Sequence, residues 1–494
     1  MVYKTKKSTL LRLIQVGVLL WCAACISVAT AATIVLDNLD GANEGFNDNS
    51  PGFPDQLNNP GTTLGGQRLA VFQAAADFWR TRLNSDVVIR ISINMDPLPC
   101  TAASATLGTA GAIDSFMGFP GAPRANTFYP VALANSLTGE DLTPDTGAIN
   151  NDISAIFNVD IDNNPNCLPN NWWLGINSPP PPNTVSLFDS VVHEIAHGLG
   201  FSTLINTATG AKPAGLDDAF SIHLFDEETN QFWSEMTDAE RVISATNNGN
   251  VVWRGDNADT NSDHLNAISR TNGHIRMFAP NPLQPGSSIS HWDPILAPDE
   301  LMEPILTAGS DSRSTLQLLR DVGWDIITGA VPSSPGEINF ISGSFSVFED
   351  QGPANILVAR SGGSEGAVSA RIVSDGITAE GRGIDFGGIN QTVNWADGET
   401  GIRIISVRIV NDEEDEPDET VLFSIRPPTG GATTSQDSTI LTIQDPLNED
   451  EPDILDLIIP MLIAILGNLT DDDDSANTTL DATQDGQIES GETQ

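Results

Sequence analysis

The chain has 494 residues, and at ~150 residues per domain it divides into two to four units. Its 22 Lys and Arg stand against 66 Asp and Glu, for a formal net charge of −44. That surface repels nucleic acid and anionic membranes. It suits calcium, cationic partners or a salty medium, or serves solubility alone.

The chain opens on Lys4, Lys6, Lys7 and Arg12, followed by an apolar run over 13–28 and then Ala29-Thr30-Ala31-Ala32. Residues 1–31 read as a secretory signal peptide, so the protein is expected to be exported: secreted, at the cell surface, or in a periplasm. Cleavage leaves 18 bases against 66 acids, a net of −48, with Lys212 the last lysine. It also removes Cys22 and Cys25, so Cys100 and Cys167 remain. Two cysteines in an exported protein most simply form one disulfide. The alternative is Cys100 as a thiolate capping a metal in a latent form.

Residues 33–60 read as a solvated loop, with Asp37, Asp40, Glu44 and Asp48 among Gly, Asn and Pro. Leu69, Phe72, Ala76, Trp79 and Leu83 recur at spacings of three and four, which predicts a helix over 66–83. Strands are expected over 87–93, 127–133 and 153–159. Residues 160–183 are rich in Asn and Pro and are expected to be irregular. A helix follows, capped by Thr184 or Ser186, with Leu187, Val191, Ile195 and Leu199 as its apolar stripe. Gly200 is placed to end it in a left-handed turn. Residues 202–290 are mixed, with a short helix over 238–245, and a last helix spans 315–323. Helix, strands and then another helix imply an α+β domain.

The capped helix carries His193-Glu194-Ile195-Ala196-His197-Gly198-Leu199-Gly200, an H-E-x-x-H-x-x-G pattern. Two imidazoles four residues apart share one helix face and can bind one metal ion. The glutamate between them can hold and deprotonate a water on that ion. A catalytic zinc site takes three protein ligands and keeps one position open. The common extension of the motif places its third ligand at Thr203, a poor donor. The third ligand therefore comes from His223, His264, His274, His291 or a carboxylate. By their own surroundings His223 reads as packed, and His264 and His274 as solvated.

The nine residues 193–201 resemble the metzincin zinc peptidases. His291-Trp292-Asp293, with Leu301-Met302 ending eleven residues after the histidine, resembles the leishmanolysin branch of that family. The resemblance is strong at these two blocks and weak over the rest of 33–328. It implies that His291 is the third zinc ligand, that Met302 is the methionine of a turn beneath the metal, and that 203–290 is a long insertion. It also implies a zinc endopeptidase acting on protein or peptide substrates through a water on the metal, with Glu194 as general base. Some metzincins add a tyrosine after the turn; this chain has Tyr3 and Tyr129 alone. Residues 153–157 are the expected edge strand along which an extended substrate would pair.

Pro332, Ser333, Ser334 and Pro335 mark a linker over 329–336. Beyond it, short alternating runs broken by Gly, Asp and Asn give a β-sandwich pattern. Phe345 to Gly352, Val358 to Gly363, Gly383 to Phe386 and Asn411 to Thr420 resemble the Calx-beta domain over 337–446. That resemblance implies calcium at Asp385, Asp412, Glu416 and Asp445, although these acids suit solvated loops equally. Residues 447–494 hold 13 acids and no base, and are expected to be a disordered tail. Their apolar run over 457–466 is too short to span a membrane, which needs ~20 residues.

The expected architecture is an α+β metzincin-like catalytic domain over 32–328, an all-β Calx-beta-like sandwich and an acidic tail. The expected cofactors are one catalytic Zn2+, with Ca2+ in the sandwich. Two rival functions stay open: an adhesion or binding protein with a vestigial metal site, and a zinc hydrolase of a non-peptide amide.

Overall fold

The computed structural model describes residues 31–445 except 144–150, 170, 177, 328–334, 362, 364, 398–400 and 412–415. Residues 1–30 of the expected signal segment, 329–334 of the linker and the acidic tail lie outside the described residues.

The first sheet begins where a loop was expected. Ile34–Asn38 is a fully buried strand, β1. Its five residues are too few to show a period, and the acids that follow suggested solvent. Two of the acids in this stretch, Asp37 and Asp40, are in fact buried and partnered. Asp37 pairs with Arg90 at 3.3 Å, and Asp40 accepts the N–H of Phe46 and of Met95. β1 runs parallel to β2, Ile89–Asp96. β2 runs parallel to β4, Ile153–Asn158, and β3, Gly108–Ala112, closes the sheet antiparallel to β4. The order is therefore β1-β2-β4-β3. Residues 153–157 thus lie between two neighbours, and the edge strand on their side of the sheet is β3. The long apolar run marked 153–157 as a strand, but its burial on both flanks makes it an inner one.

Helix α1, Leu64–Arg80, starts two residues earlier than its pattern suggested, because Thr63 caps it by accepting the N–H of Gly66. Helix α2, Leu187–Gly198, carries the histidine motif. Ser186 is its cap and accepts the N–H of Asp189 at 3.1 Å. The strand expected over 127–133 stops at Pro130, and Val131–Thr138 is helical. The alternation in Thr127-Phe128-Tyr129 does not extend into Val131-Ala132-Leu133-Ala134, whose alanines and leucine favour a helix.

The segment after α2 contains a five-stranded sheet built from strands of two or three residues, too short to be read as periodic. Asp238–Ser244 is the expected short helix, with Thr237 and Glu240 forming a reciprocal cap. Helix α3, Arg313–Val322, follows, and Asp325–Ile326 then pairs with Leu83–Asn84. A disulfide joins Cys100 to Cys167 with their Cα atoms 5.1 Å apart, so Cys100 is no free thiolate.

Residues 337–444 form two facing sheets. One has β5, Glu337–Phe340; β7, Ala354–Ser361; and β10, Gly401–Val407, in the order β5-β7-β10. The other has β6, Ser344–Phe348; β8, Val368–Gly376; β9, Asn390–Trp395; β11, Glu419–Arg426; and β12, Ser438–Gln444, in the order β6-β12-β11-β8-β9. Alternate residues such as Val421, Phe423 and Ile425 point into the core between them. The sandwich meets β1 directly: Asn38 N–H donates to Ser342 Oγ, and Ser344 Oγ donates to the Asn38 carbonyl. Gln444 Oε1 accepts the N–H of Ala42 at 3.2 Å, while its Nε2 donates to Asp418 at 3.1 Å.

Candidate metal centre

Helix α2 is fixed from several sides. Trp79 of α1 donates its indole N–H to the Val192 carbonyl at 3.0 Å, and Trp324 donates to the Leu199 carbonyl at 2.7 Å. Gly198 allows close approach to β4, since a Cβ there would lie 2.4 Å from Ile153 Cγ2. Gly200 takes φ +115°, the left-handed turn expected after the motif.

Each of the three histidines at the centre donates its Nδ1 hydrogen to a backbone carbonyl. His193 reaches the carbonyl of Leu301 at 2.7 Å, His197 that of Phe201 at 2.8 Å, and His291 that of Ser287 at 2.8 Å. A carbonyl can only accept, so Nδ1 carries the proton in every ring and each Nε2 presents a lone pair. One donor nitrogen from each ring lies within 4.8 Å of the others. His193 Nε2 and His291 Nε2 are 3.2 Å apart. Burial lowers the pKa of His193 to about 3 and of His197 to about 4, and pushes that of His291 down as well. Buried neutral rings with lone pairs facing one another repel unless a cation lies between them. The donor set therefore fits one metal ion, with a backbone carbonyl fixing the orientation of each ring.

Glu194 lies between His193 and His197 on α2. Its carboxylate accepts the N–H of Ala110 on edge strand β3, and burial raises its pKa to about 7. Met302 is fully buried, and its carbonyl accepts the N–H of Trp292 at 2.8 Å. The adjacent carbonyls of Leu301 and Met302 thus hold His193 of α2 and the segment carrying His291. Thr203 takes no place in this set; its hydroxyl donates to Asp218 at 2.9 Å. Tyr129 is buried elsewhere, its oxygen accepting the N–H of Arg124.

The other histidines have protein partners. His223 packs against Trp253 with ring centroids 5.0 Å apart. His274 pairs with Asp259 at 2.8 Å. His264, read as solvated, has a side chain only 8% exposed and contacts Glu300 at 2.9 Å. Its polar neighbours in sequence do not reveal that 36 residues later the chain returns beside it.

At one end of the sandwich, carboxylate oxygens of Asp385, Glu416 and Glu419 lie within 4.8 Å of one another. Residues 332–447 match the family of Calx-beta domains. This stretch is a Calx-beta domain. Among solved structures, the apo-form Calx CBD1 domain is 22% identical, aligning 22% of this chain with 96% of that one at a TM-score of 0.21. The Calx CBD2 domain is 16% identical, aligning 27% of this chain with 96% of that one at a TM-score of 0.22. A structure described as the calcium binding domain CBD12 of CALX1.1 is 22% identical, aligning 22% of this chain with 45% of that one at a TM-score of 0.21. No curated protein matches the chain.

Within the Calx-beta domain, two of the four expected acids, Asp385 and Glu416, come together. Asp412 lies outside the described residues. Asp445 sits alongside, accepting the N–H of Glu416 at 2.8 Å, and is not one of the converging three. Glu419 joins them instead. Burial, and next the neighbouring Asp385, raise its pKa to about 7. Glu419 belongs to the acidic block 412–419, but nothing in that run distinguishes it from Asp418.

Proposed function

We propose that the chain is an exported zinc-dependent endopeptidase with Glu194 as its general base. The observation that carries this reading is the convergence of three fixed imidazole nitrogens, from His193, His197 and His291, beside Glu194. Three nitrogen donors suit zinc. A bound zinc ion would supply Lewis acidity and an acidified water. Glu194 would take the proton of the attacking water and return it to the leaving amine. Ala110 would orient the Glu194 carboxylate through its N–H. The outer edge of β3 lies on that side of the sheet, so Gly108–Ala112 replaces 153–157 as the strand along which an extended peptide would pair.

Wild type and Glu194→Ala are compared for metal content and for cleavage of a denatured protein. The expected result is retained metal with cleavage lowered by ~10²–10⁴-fold. Equal cleavage by the two would sink the mechanism. A metal-loaded wild type that cuts no peptide bond would favour the binding protein, or the non-peptide amidase if it hydrolyses such an amide. His291→Ala should lose the ion from this centre.

Calcium binding is proposed for the Calx-beta domain at Asp385, Glu416 and Glu419. Clustered carboxylates suit a hard cation; burial first, and then the neighbouring Asp385 and Glu416, raise the pKa of Glu419, and a cation would offset that crowding of negative charge. The full-length chain should melt higher in calcium, and Asp385→Asn should abolish the increment.

A further inference from the structure

His264, Glu300 and Asp311 place one ligand atom each within 4.8 Å of the others, apart from both sites above. His264 Nδ1 lies 3.1 Å from the Asn261 carbonyl and can only donate to it. In the neutral ring Nε2 is then a lone pair, 2.9 Å from Glu300 Oε1 and 3.2 Å from Ser314 Oγ. Glu300 Oε1 also accepts the N–H of Ser314 at 3.3 Å. Glu300 Oε2 has no hydrogen-bond partner among the described residues, although this side chain is 0% exposed. An imidazolium would account for Oε1 and leave Oε2 bare, a costly state for a buried carboxylate. A cation accounts for both oxygens, because a carboxylate can ligate through either or both.

The surroundings favour positive charge. Asp293, Asp299, Glu300, Glu303 and Asp311 gather here against Arg276, which pairs with Asp293, and Arg313, which pairs with Asp311. Asp311 is partly open to solvent and gives an ion a way in. The donors sit on three chain segments. Glu300 directly precedes the Leu301 carbonyl that holds His193, Asp311 just precedes α3, and His264 lies in the insertion. Backbone already ties two of them: Leu301 N–H donates to the Asp311 carbonyl at 2.7 Å, and Asp311 N–H to that of Asp299 at 2.8 Å.

We propose that His264, Glu300 and Asp311 form a second metal site, taking a divalent transition ion of the zinc class. One imidazole with two carboxylates suits such an ion better than calcium, whose ligands are oxygens. Its role is structural: it ties the insertion and the start of α3 to the Leu301–Met302 turn.

The full-length chain is stripped of metal, reloaded with zinc, dialysed and measured for bound metal. Cobalt loading provides a spectrum for each centre. Wild type should hold two equivalents, His264→Ala and Glu300→Gln one each, and His291→Ala one. The double variant His264→Ala/His291→Ala should hold none. Asp311→Asn, at a more exposed position, should weaken the second equivalent by at least ~10-fold without loss of fold by near-ultraviolet circular dichroism. A single equivalent in wild type that disappears in His291→Ala overturns the second site and leaves the first standing. One that disappears in His264→Ala and survives His291→Ala upholds the second site and overturns the first. Two equivalents in both wild type and His264→Ala, or occupancy by calcium in preference to zinc and cobalt, overturns the proposal.

Discussion

His193 donates its Nδ1 hydrogen to the carbonyl of Leu301, 2.7 Å away and 108 residues further along the chain. The bond decides which nitrogen of His193 faces the centre. It also makes the 301–302 turn part of that centre, although the turn supplies no metal donor. Met302 holds the turn in place by filling the core beneath it. Met302→Ala is expected to destabilise the protein by about 2–5 kcal/mol and to weaken metal binding by ~10–100-fold through the loosened carbonyl. Met302→Leu, nearly equal in volume, should cost less than about 1.5 kcal/mol and keep the ion. Urea unfolding of the stripped protein and a zinc competition titration separate the two effects.

Gly198 lies against Ile153, so a methyl group there must displace the isoleucine or the helix. Gly198→Ala should cost about 1–3 kcal/mol. In Gly198→Ala/Ile153→Ala the new methyl enters space the isoleucine has left. The double variant should therefore lose less than the two single losses added together, by about 0.5 kcal/mol or more. Strict additivity would show that the two positions do not meet.

The disulfide closes a loop of 67 residues. Chain-entropy reasoning gives about 4 kcal/mol for a loop of this length, so Cys100→Ala/Cys167→Ala should unfold at markedly lower denaturant. The same substitutions test the latent-thiolate alternative: unchanged activity on first dilution from storage would count against it.

Burial raises the pKa of Asp40 to about 6, against its acceptance of the Met95 and Phe46 N–H groups. The folded state then holds this proton more tightly than the unfolded chain does between about pH 4 and 6. Stability contributed here falls as pH rises through that window. Asp40→Asn removes the effect. The stability of wild type minus that of the variant should be greater at pH 4.5 than at pH 7, by on the order of 1–2 kcal/mol. Denaturant titrations of the metal-stripped proteins at both pH values provide the comparison.

Long, strongly patterned elements were legible in the sequence. Helix α1 announced itself through Leu69, Phe72, Ala76 and Trp79, and α2 through its stripe and Ser186. In the sandwich, β7 and β11 lie in the stretch whose short alternating runs marked it as β. Two of the strand misreadings turn on contacts with distant chain. β1 looks like loop until β2 pairs with it. Residues 153–157 look like an edge until β3 covers their other side. Thr127–Pro130 gives way to a helix where alternation stops. At the centre, His193, Glu194 and His197 could be read from one turn of helix. Choosing His291 from the remaining histidines required a resemblance, because no local pattern reports a partner 94 residues away. For the same reason the surroundings of His264 could not be read from its neighbours, nor Glu419 singled out within its acidic run.

The separation of His197 from His291 also links metal retention to conformation. A disordered chain offers an ion at most the pair His193 and His197, and that only where a helical turn happens to form. The third nitrogen arrives when 287–302 docks against α2, so the ion's extra affinity for the complete set adds to the free energy of folding. A chelator should therefore lower the denaturation midpoint of wild type and leave that of stripped His291→Ala where it was. On the function proposed above, a newly exported chain would gain its hydrolytic centre on completing its fold, and a damaged one would release the ion on losing it.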